Sequence, residues 1–177
     1  YNEFLAGKRS CMNEDIFALI TPTGEPERRR STSYYIVDIT GDGIPELYVR
    51  EHVHTIFTFR DGDMRWLQIF YSSSAGLYHL LKNGVIVYNG YVKPEFGNYY
   101  RYFTLDNTGK EVDKLSFMWR DTNNNIAFDN DDTYEFNGEK CTMQEWFEKT
   151  KGYIYINENG VDQLCNEADW IRYCEAK

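Results

Sequence analysis

The sequence predicts an α+β fold in which a strand-rich centre lies between helical ends. The 177 residues include 15 Tyr and 11 Phe, which are residue types that strands favour. Short apolar or alternating runs are separated by Asp-Gly and Asn-Gly dipeptides, the strongest local signal for β-hairpins. A chain of this length suits one well-cored domain, so we predict a single domain over 1–177.

The predicted N-terminal part is a helical region over 1–20 followed by a mobile loop over 21–33. The helical region carries apolar side chains at spacings that one face of a helix can use. These are Phe4, Leu5, Met12, Ile16, Phe17 and Leu19. The loop, TPTGEPERRRSTS, contains two Pro and one Gly among polar residues, which is typical of an irregular connection.

The strand-rich centre is predicted over 34–136. Strands at 34–37 and 47–50 enclose an acidic loop, and hairpins then follow around Asp61–Gly62, Asn83–Gly84, residues 106–109 and Asn137–Gly138. Serial hairpins place consecutive strands side by side and antiparallel. We therefore expect an antiparallel β-meander that curls or splits into two layers. Residues 120–133 are polar and predict a long exposed loop.

The tail over 142–177 is predicted to be mainly helical. Thr142 is a suitable N-cap, and Glu145 three residues later completes a capping box. Residues 153–156 predict a last short strand and residues 157–160 a turn. From residue 161 onwards the apolar spacing again indicates a helix.

The acidic loop between the first two strands has the spacing of a calcium site. Counting from the first Asp, oxygen ligands fall at alternate positions one to nine, with Gly43 at the sharp turn. The candidate ligands are Asp38, Thr40, Asp42, the carbonyl of Ile44, and Glu46. An EF-hand needs an acidic residue at position twelve and flanking helices, whereas Val49 and strands stand here. The loop is therefore predicted to be a calcium loop of another kind.

DITGDGIPELYV resembles the acidic loop of FG-GAP and VCBS-type repeats. With YNEFLAG, FTFRDGDM and LYHLLKNGVIVY, it makes the chain similar to uncharacterised secreted or lipoprotein domains of Gram-positive bacteria. The resemblance implies a calcium loop joining two strands, and an extracellular or cell-surface location. The first residue is not Met, so we expect a signal peptide or a lipid-anchored leader upstream.

The sequence departs from that loop at one position. The third ligand is usually Asp or Asn, and here it is Thr40, a neutral and weaker ligand. The alternative is an ion-free turn in which Asp38 and Asp42 accept backbone N–H groups. An occupied site is expected to be structural, because it neutralises carboxylates and holds two strands together.

The segment 88–102 is the densest aromatic region and predicts a ligand surface. Tyrosine offers an apolar face with a polar group, which suits sugars and protein partners. The candidates are Tyr88, Tyr91, Tyr99, Tyr100 and Tyr102. Ordinary packing within a sheet is the alternative.

Several other patterns are less specific. His52 and His54, with His79 or Glu51, form a candidate transition-metal or catalytic cluster, and ordinary strand positions are the alternative. A second cation loop is a candidate at Asp129, Asp131 and Asp132. The four cysteines permit two disulfides or four free thiols. Residues 72–76 lack the elbow of a serine nucleophile.

Composition restricts the partners. The net charge of −9 argues against nucleic acid, whose phosphates need a basic surface. No apolar run approaches the roughly 20 residues of a membrane span.

We predict an extracytoplasmic binding or accessory module with a structural calcium loop, whose partner is a cell-surface glycan or protein. The alternatives are a secreted hydrolase that uses acidic residues, and a spacer domain of a lipoprotein. A binding role is favoured over an enzymatic one.

Overall fold

The computed structural model describes residues 33–50, 53–73, 76–92, 96–125, 128–156 and 162–164. The predicted helical region 1–20 and nearly all of the predicted loop 21–33 lie outside these residues. Within the described part, most of the backbone is antiparallel β-structure, as the hairpin signals predict.

Ten strands form two sheets, which confirms a meander split into two layers. The four-stranded sheet has the order β1 (Ser33–Val37), β2 (Glu46–Arg50), β3 (Val53–Arg60) and β4 (Asp63–Tyr71). The six-stranded sheet comprises β5 (Gly76–Leu80), β6 (Ile86–Tyr91), β7 (Phe96–Leu105), β8 (Glu111–Asp121), β9 (Thr133–Phe136) and β10 (Glu139–Cys141), in sequential order. Each strand pairs antiparallel with its neighbours.

Local turn chemistry explains the hairpins. Asp61 and Gly62 both have positive φ angles, 53° and 86°, and Asn137 and Gly138 have φ of 53° and 81°. Two consecutive residues with positive φ make a type I′ turn, whose twist matches that of the strands it joins. Both hairpins were predicted from these dipeptides.

The first hydrophobic core lies between the two sheets. Its buried members come from both layers: Tyr35, Ile39, Tyr48, Ile56, Leu67, Phe70, Leu80, Ile86, Phe103 and Leu105. The rings of Phe70 and Phe103 meet edge to face across the layers, with centroids 5.6 Å apart. The β5–β6 turn also packs against the acidic loop. A Cβ atom on Gly84 would overlap the Asp38 carbonyl oxygen, so only glycine fits there. The acidic loop is therefore anchored on the six-stranded sheet.

The second core covers the opposite face of the six-stranded sheet. One helix, α1 (Met143–Thr150), and Ile154 pack on that face. Trp146 is fully buried there against Phe117 and Tyr134. The predicted capping box is present, since Glu145 N–H donates to Thr142 Oγ1 (3.2 Å) and Thr142 N–H donates to Glu145 Oε2 (2.9 Å).

The tail differs from the prediction. Strand β11 (Ile154–Ile156) was expected, but β12 (Asp162–Leu164) pairs with it antiparallel, so the helix predicted from residue 161 is wrong over 162–164. The apolar spacing in this segment also suits a helix, but pairing with β11 places these residues in a strand. Residues 165–177 lie outside the described part. Within that part α1 is the single α-helix, and no helix there is long and apolar enough to cross a membrane.

Candidate binding surface and cation loop

The acidic loop over 38–45 is organised by its own carboxylates. Asp38 accepts hydrogen bonds from the N–H groups of Gly41 (2.7 Å) and Gly43 (2.9 Å). Asp42 accepts one from the N–H of Ile44 (2.9 Å). The φ angles of Gly41 and Gly43, 77° and 85°, let the chain turn tightly around these carboxylates. These are the bonds of the ion-free turn considered above.

Arg60, the last residue of β3, forms an ion pair with Asp42 of the acidic loop. The pKa of Asp42 lies below its usual value, chiefly because of the Ile44 N–H bond and then because of the Arg60 charge. A cation that binds at Asp42 therefore has to displace Arg60 from this carboxylate or share the carboxylate with Arg60.

Glu46 lies beneath the loop and is fully buried. It accepts hydrogen bonds from the N–H groups of Ile39 (2.9 Å) and Thr40 (3.3 Å) and from the Thr58 hydroxyl (3.2 Å). Burial raises the pKa of its carboxyl group despite these bonds. The structure thus gives Glu46 the role of joining the loop to strands β2 and β3.

Thr40 and Ile44 complete the predicted ligand set. The Thr40 hydroxyl is buried near Asp42 and makes no hydrogen bond of normal geometry. A buried hydroxyl oxygen of this kind, in the same loop as the Asp38 and Asp42 carboxylates, fits a hard cation. Asp38, Thr40, Asp42 and the Ile44 carbonyl are the groups that could hold it. Among all the described residues, this loop included, no three His, Cys, Asp or Glu side chains gather for a metal ion.

The five predicted tyrosines do not share one surface. Tyr100 and Tyr102 are core residues of the face that α1 covers. Tyr88 and Tyr99 lie on the opposite face, which follows from the strand register, and both are half-buried. Of the five, Tyr91 alone is strongly exposed.

Tyr88 is a packing residue for two glycines. Gly76 and Gly90 pair across strands β5 and β6, and a Cβ on either would overlap the Tyr88 ring. The ring also lies 4.9 Å from that of Tyr78. Tyr88 therefore fills the space that two missing side chains leave.

A different set of side chains forms an exposed apolar surface, which we name the bare end. It consists of Leu77, Tyr91 and Phe96, which are 52%, 64% and 60% exposed. Register places them on one face of β5, β6 and β7, the same face that α1 covers further along the sheet. Helix α1 has 8 residues and is therefore about 12 Å long, so it covers only part of this face.

Two asparagines lie among the bare-end side chains. Asn89 is opposite Leu77, and Asn98 is opposite Tyr91. Both are half-buried and lie on the same face, so their amide groups are at the floor of the bare end. An amide both donates and accepts hydrogen bonds, which suits hydroxyl-bearing ligands.

Sequence reasoning found Tyr91 but missed Leu77 and Phe96. Their positions in the alternation match those of core residues, such as Tyr100 on the same strand as Phe96. The signal that separates them is the length of α1, and this requires knowing where α1 packs.

The predicted histidine cluster has another arrangement. His54 is bonded at Nδ1 to the Tyr48 hydroxyl and at Nε2 to Ser72 Oγ (2.8 Å), so both ring nitrogens are occupied. Burial lowers the pKa of His54 to about 4, and that of His79 also to about 4. Glu51 and His52 lie outside the described residues. The geometry therefore offers no free His54 nitrogen to a metal.

The second predicted cation loop is organised by its asparagines. Asn123 and Asn125 donate to Asp129 at 2.9 and 2.7 Å, and these amide bonds lower the pKa of that carboxyl group. Asp131 and Asp132 lie in the same turn, and Asp132 accepts from the N–H of Asp129 (3.3 Å).

Cys141 is a free thiol, and the other three cysteines lie outside the described residues.

Comparison with protein families, with curated proteins and with solved structures finds no match for this chain.

Proposed function

We propose that this chain is an extracytoplasmic binding module that uses the bare end to bind a neutral cell-surface glycan. The acidic loop serves the module as a structural cation site. The location follows from the resemblance to secreted and lipoprotein domains, and the partner follows from the chemistry of the surface.

The observation that carries the proposal is the exposure of Leu77, Tyr91 and Phe96 together on one sheet face. Contiguous apolar surface on a soluble domain is typical of an interaction site. A sheet presents its side chains on a firm, nearly planar support, so two aromatic rings can meet the apolar faces of successive sugar rings. The Asn89 and Asn98 amides supply hydrogen bonds to hydroxyl groups.

The charge of the chain favours a neutral partner. A net charge of −9 repels polyanions such as nucleic acid or phosphate-rich polymers. The bare end itself consists of uncharged side chains. A polysaccharide without acidic groups is therefore the ligand class that the surface fits best.

The cation loop is proposed on the oxygen set of Asp38, Thr40, Asp42 and the Ile44 carbonyl. A bound hard cation would offset the repulsion between the two carboxylates and satisfy the buried Thr40 hydroxyl. The loop contacts Gly84 of the β5–β6 turn, so an ion would stiffen the junction between the sheets.

Affinity gel electrophoresis tests the binding proposal. The purified chain is run through gels containing soluble neutral polysaccharides of the glucan, mannan, xylan and chitin classes. We expect retardation by at least one of them. Tyr91→Ala and Phe96→Ala should each weaken binding by about tenfold, which corresponds to about 1.4 kcal/mol.

Trp66→Ala is the matched control, because Trp66 is also exposed and aromatic but lies on the four-stranded sheet. It should leave retardation unchanged. Migration that no polysaccharide alters, or retardation that Tyr91→Ala and Phe96→Ala do not reduce, would refute the glycan proposal. If the same residues instead bound a protein, the bare end would be a protein-binding surface and the glycan proposal would be wrong.

A further inference from the structure

His54 connects three elements through hydrogen bonds in the interior between the sheets. It is 2% exposed and lies on β3, with Tyr48 of β2 on one side and Ser72, just after β4, on the other. Ser72 Oγ is 2.8 Å from His54 Nε2 and also accepts from the Tyr78 N–H of β5 at 3.4 Å. This Tyr48–His54–Ser72 relay therefore joins the four-stranded sheet to the edge strand of the six-stranded sheet.

The direction of the relay follows from the Tyr48 hydroxyl. Burial raises the pKa of Tyr48 strongly, so the phenol keeps its proton. A buried O–H group needs an acceptor, and His54 Nδ1 is the acceptor that the described residues supply. Nδ1 therefore carries the lone pair, and the ring proton resides on Nε2, where it donates to Ser72.

This direction separates the relay from a catalytic triad. A serine nucleophile needs a histidine whose Nε2 accepts the hydroxyl proton. Here Nε2 already holds a proton, and a phenol stands where a carboxylate would receive the Nδ1 proton. The relay consequently has a structural task.

The surroundings oppose a second proton on His54. Arg50 on β2 and His79 on β5 are the charged or titratable neighbours that act on it, and both are cationic when protonated. Tyr78 lies beside the imidazole, with ring centroids 6.1 Å apart, and Tyr35 stands behind Tyr48. Desolvation is the largest cause that keeps the pKa of His54 low, at about 4.

We propose that the Tyr48–His54–Ser72 relay is an acid-sensitive link between the sheets: protonation of His54 breaks the bond from Tyr48 and releases Ser72, Ser73 and strand β5. A second proton at Nδ1 faces the Tyr48 O–H, so two donors meet and the phenol has to turn away. The imidazolium then requires water, and at 2% exposure His54 gains it only when neighbouring elements move apart.

The released part is small because of where β5 lies. Strand β5 has 5 residues and is the edge of its sheet, paired with β6 alone. Ser73 and Gly76 pair through two backbone bonds, Ser73 N–H to Gly76 O (2.9 Å) and Gly76 N–H to Ser73 O (3.2 Å). Edge elements with few partners open at lower free energy than the central strands. This inference stands independently of glycan binding.

Long-range ¹H–¹⁵N NMR on the full chain tests the direction of the relay. At pH 7, His54 should be the tautomer with its proton on Nε2, and it should titrate well below pH 6. A proton on Nδ1 at pH 7, or titration of His54 near pH 6.5, would overturn the proposal.

Amide hydrogen exchange tests the release. As pH falls from 5.5 to 4, protection of the Ser73 and Gly76 amides should drop by about tenfold per pH unit near the titration, while β7 and β8 stay protected. His54→Gln should reduce this pH dependence to the share that His79 on β5 contributes, and His79→Gln should retain the share that His54 contributes. Simultaneous opening of β5, β7 and β8, or an unchanged pH dependence in His54→Gln, would contradict the proposal. The tautomer measurement on the unaltered chain decides the matter if His54→Gln does not fold.

Discussion

One face of the six-stranded sheet carries both a bare end and a covered end. Phe96 is 60% exposed, and Tyr100, four residues later on the same strand and face, is fully buried. On β6, Tyr91 is exposed and Val87 is buried in the same way. We call the part under α1, with Tyr100, Tyr102, Phe117 and Trp119, the covered end.

The difference shows that residue type alone does not determine whether an aromatic side chain is buried or exposed. Both ends are built from strand-forming aromatic residues in the same alternation. What separates them is the reach of α1, which packs Trp146 on one end and leaves the other open. The bare end is thus a candidate binding surface because a short helix stops before it.

The largest effect is expected at the covered end. Trp146→Ala should lower the free energy of unfolding by about 3–5 kcal/mol, because it removes a fully buried indole and leaves a cavity. Tyr91→Ala, at the bare end, should change it by less than about 0.5 kcal/mol. Urea denaturation of the two variants measures this contrast. Equal losses in both variants would mean that the two ends do not differ in packing.

The boundary between the ends is expected to respond to acid. His79 lies between exposed Leu77 and buried Leu81 along this face, and the pKa of its imidazole is about 4. The folded pKa lies below the unfolded value of about 6.5, so stability is full above pH 6.5 and falls as pH drops towards 4. The loss should amount to about 2–3 kcal/mol for His79.

Urea denaturation at pH 7 and pH 4.5 measures this loss, with His79→Gln as the comparison. The variant should lose less stability than the unaltered chain between the two pH values, while His54 continues to contribute its own share. Identical pH dependence in both proteins would show that His79 is solvated and belongs to the bare end.

A smaller effect is expected from the helix cap that holds α1 over the covered end. Thr142→Ala removes the hydroxyl that accepts the Glu145 N–H, which should cost about 1 kcal/mol. Lys140→Ala, an exposed change two residues earlier, serves as the control and should be close to neutral. Thermal denaturation compares the two. A neutral Thr142→Ala would indicate that tertiary packing alone positions α1.

The smallest effect is expected at the acidic loop, which lies apart from both ends. Adding millimolar calcium should raise the melting temperature by a few degrees at most. Arg60→Gln should enlarge this rise, because the cation no longer competes with a guanidinium for Asp42. Without calcium, the loss of the ion pair in Arg60→Gln should lower the free energy of unfolding by less than about 1 kcal/mol. Unchanged melting of both proteins with calcium would contradict the cation site and leave the bare end untouched.

The features that the sequence predicts well are those determined by neighbouring residues. Asp61–Gly62 and Asn137–Gly138 specify type I′ turns through backbone conformation, and Thr142 with Glu145 specifies the start of α1. The hairpins, their order and the helix start could therefore be derived before the structure.

The features that it predicts poorly depend on contacts between distant elements. Tyr100 and Tyr102 were candidates for a surface, and α1 buries them. Leu77 and Phe96 were not candidates, although they form two thirds of the bare end. The pairing of β12 with β11 was likewise invisible in a local apolar spacing. Each of these outcomes depends on which element packs where, and single-sequence patterns do not contain that information.

The most direct test of the binding surface is an NMR titration of the ¹⁵N-labelled chain with a neutral oligosaccharide from the polysaccharide class that retards it most. We expect the amide signals of Leu77, Tyr91 and Phe96, and the side-chain amide signals of Asn89 and Asn98, to shift progressively. Signals of Trp66 and of the acidic loop should stay in place. Shifts centred on the four-stranded sheet, or no shifts at the bare end at millimolar ligand, would contradict glycan binding at the bare end.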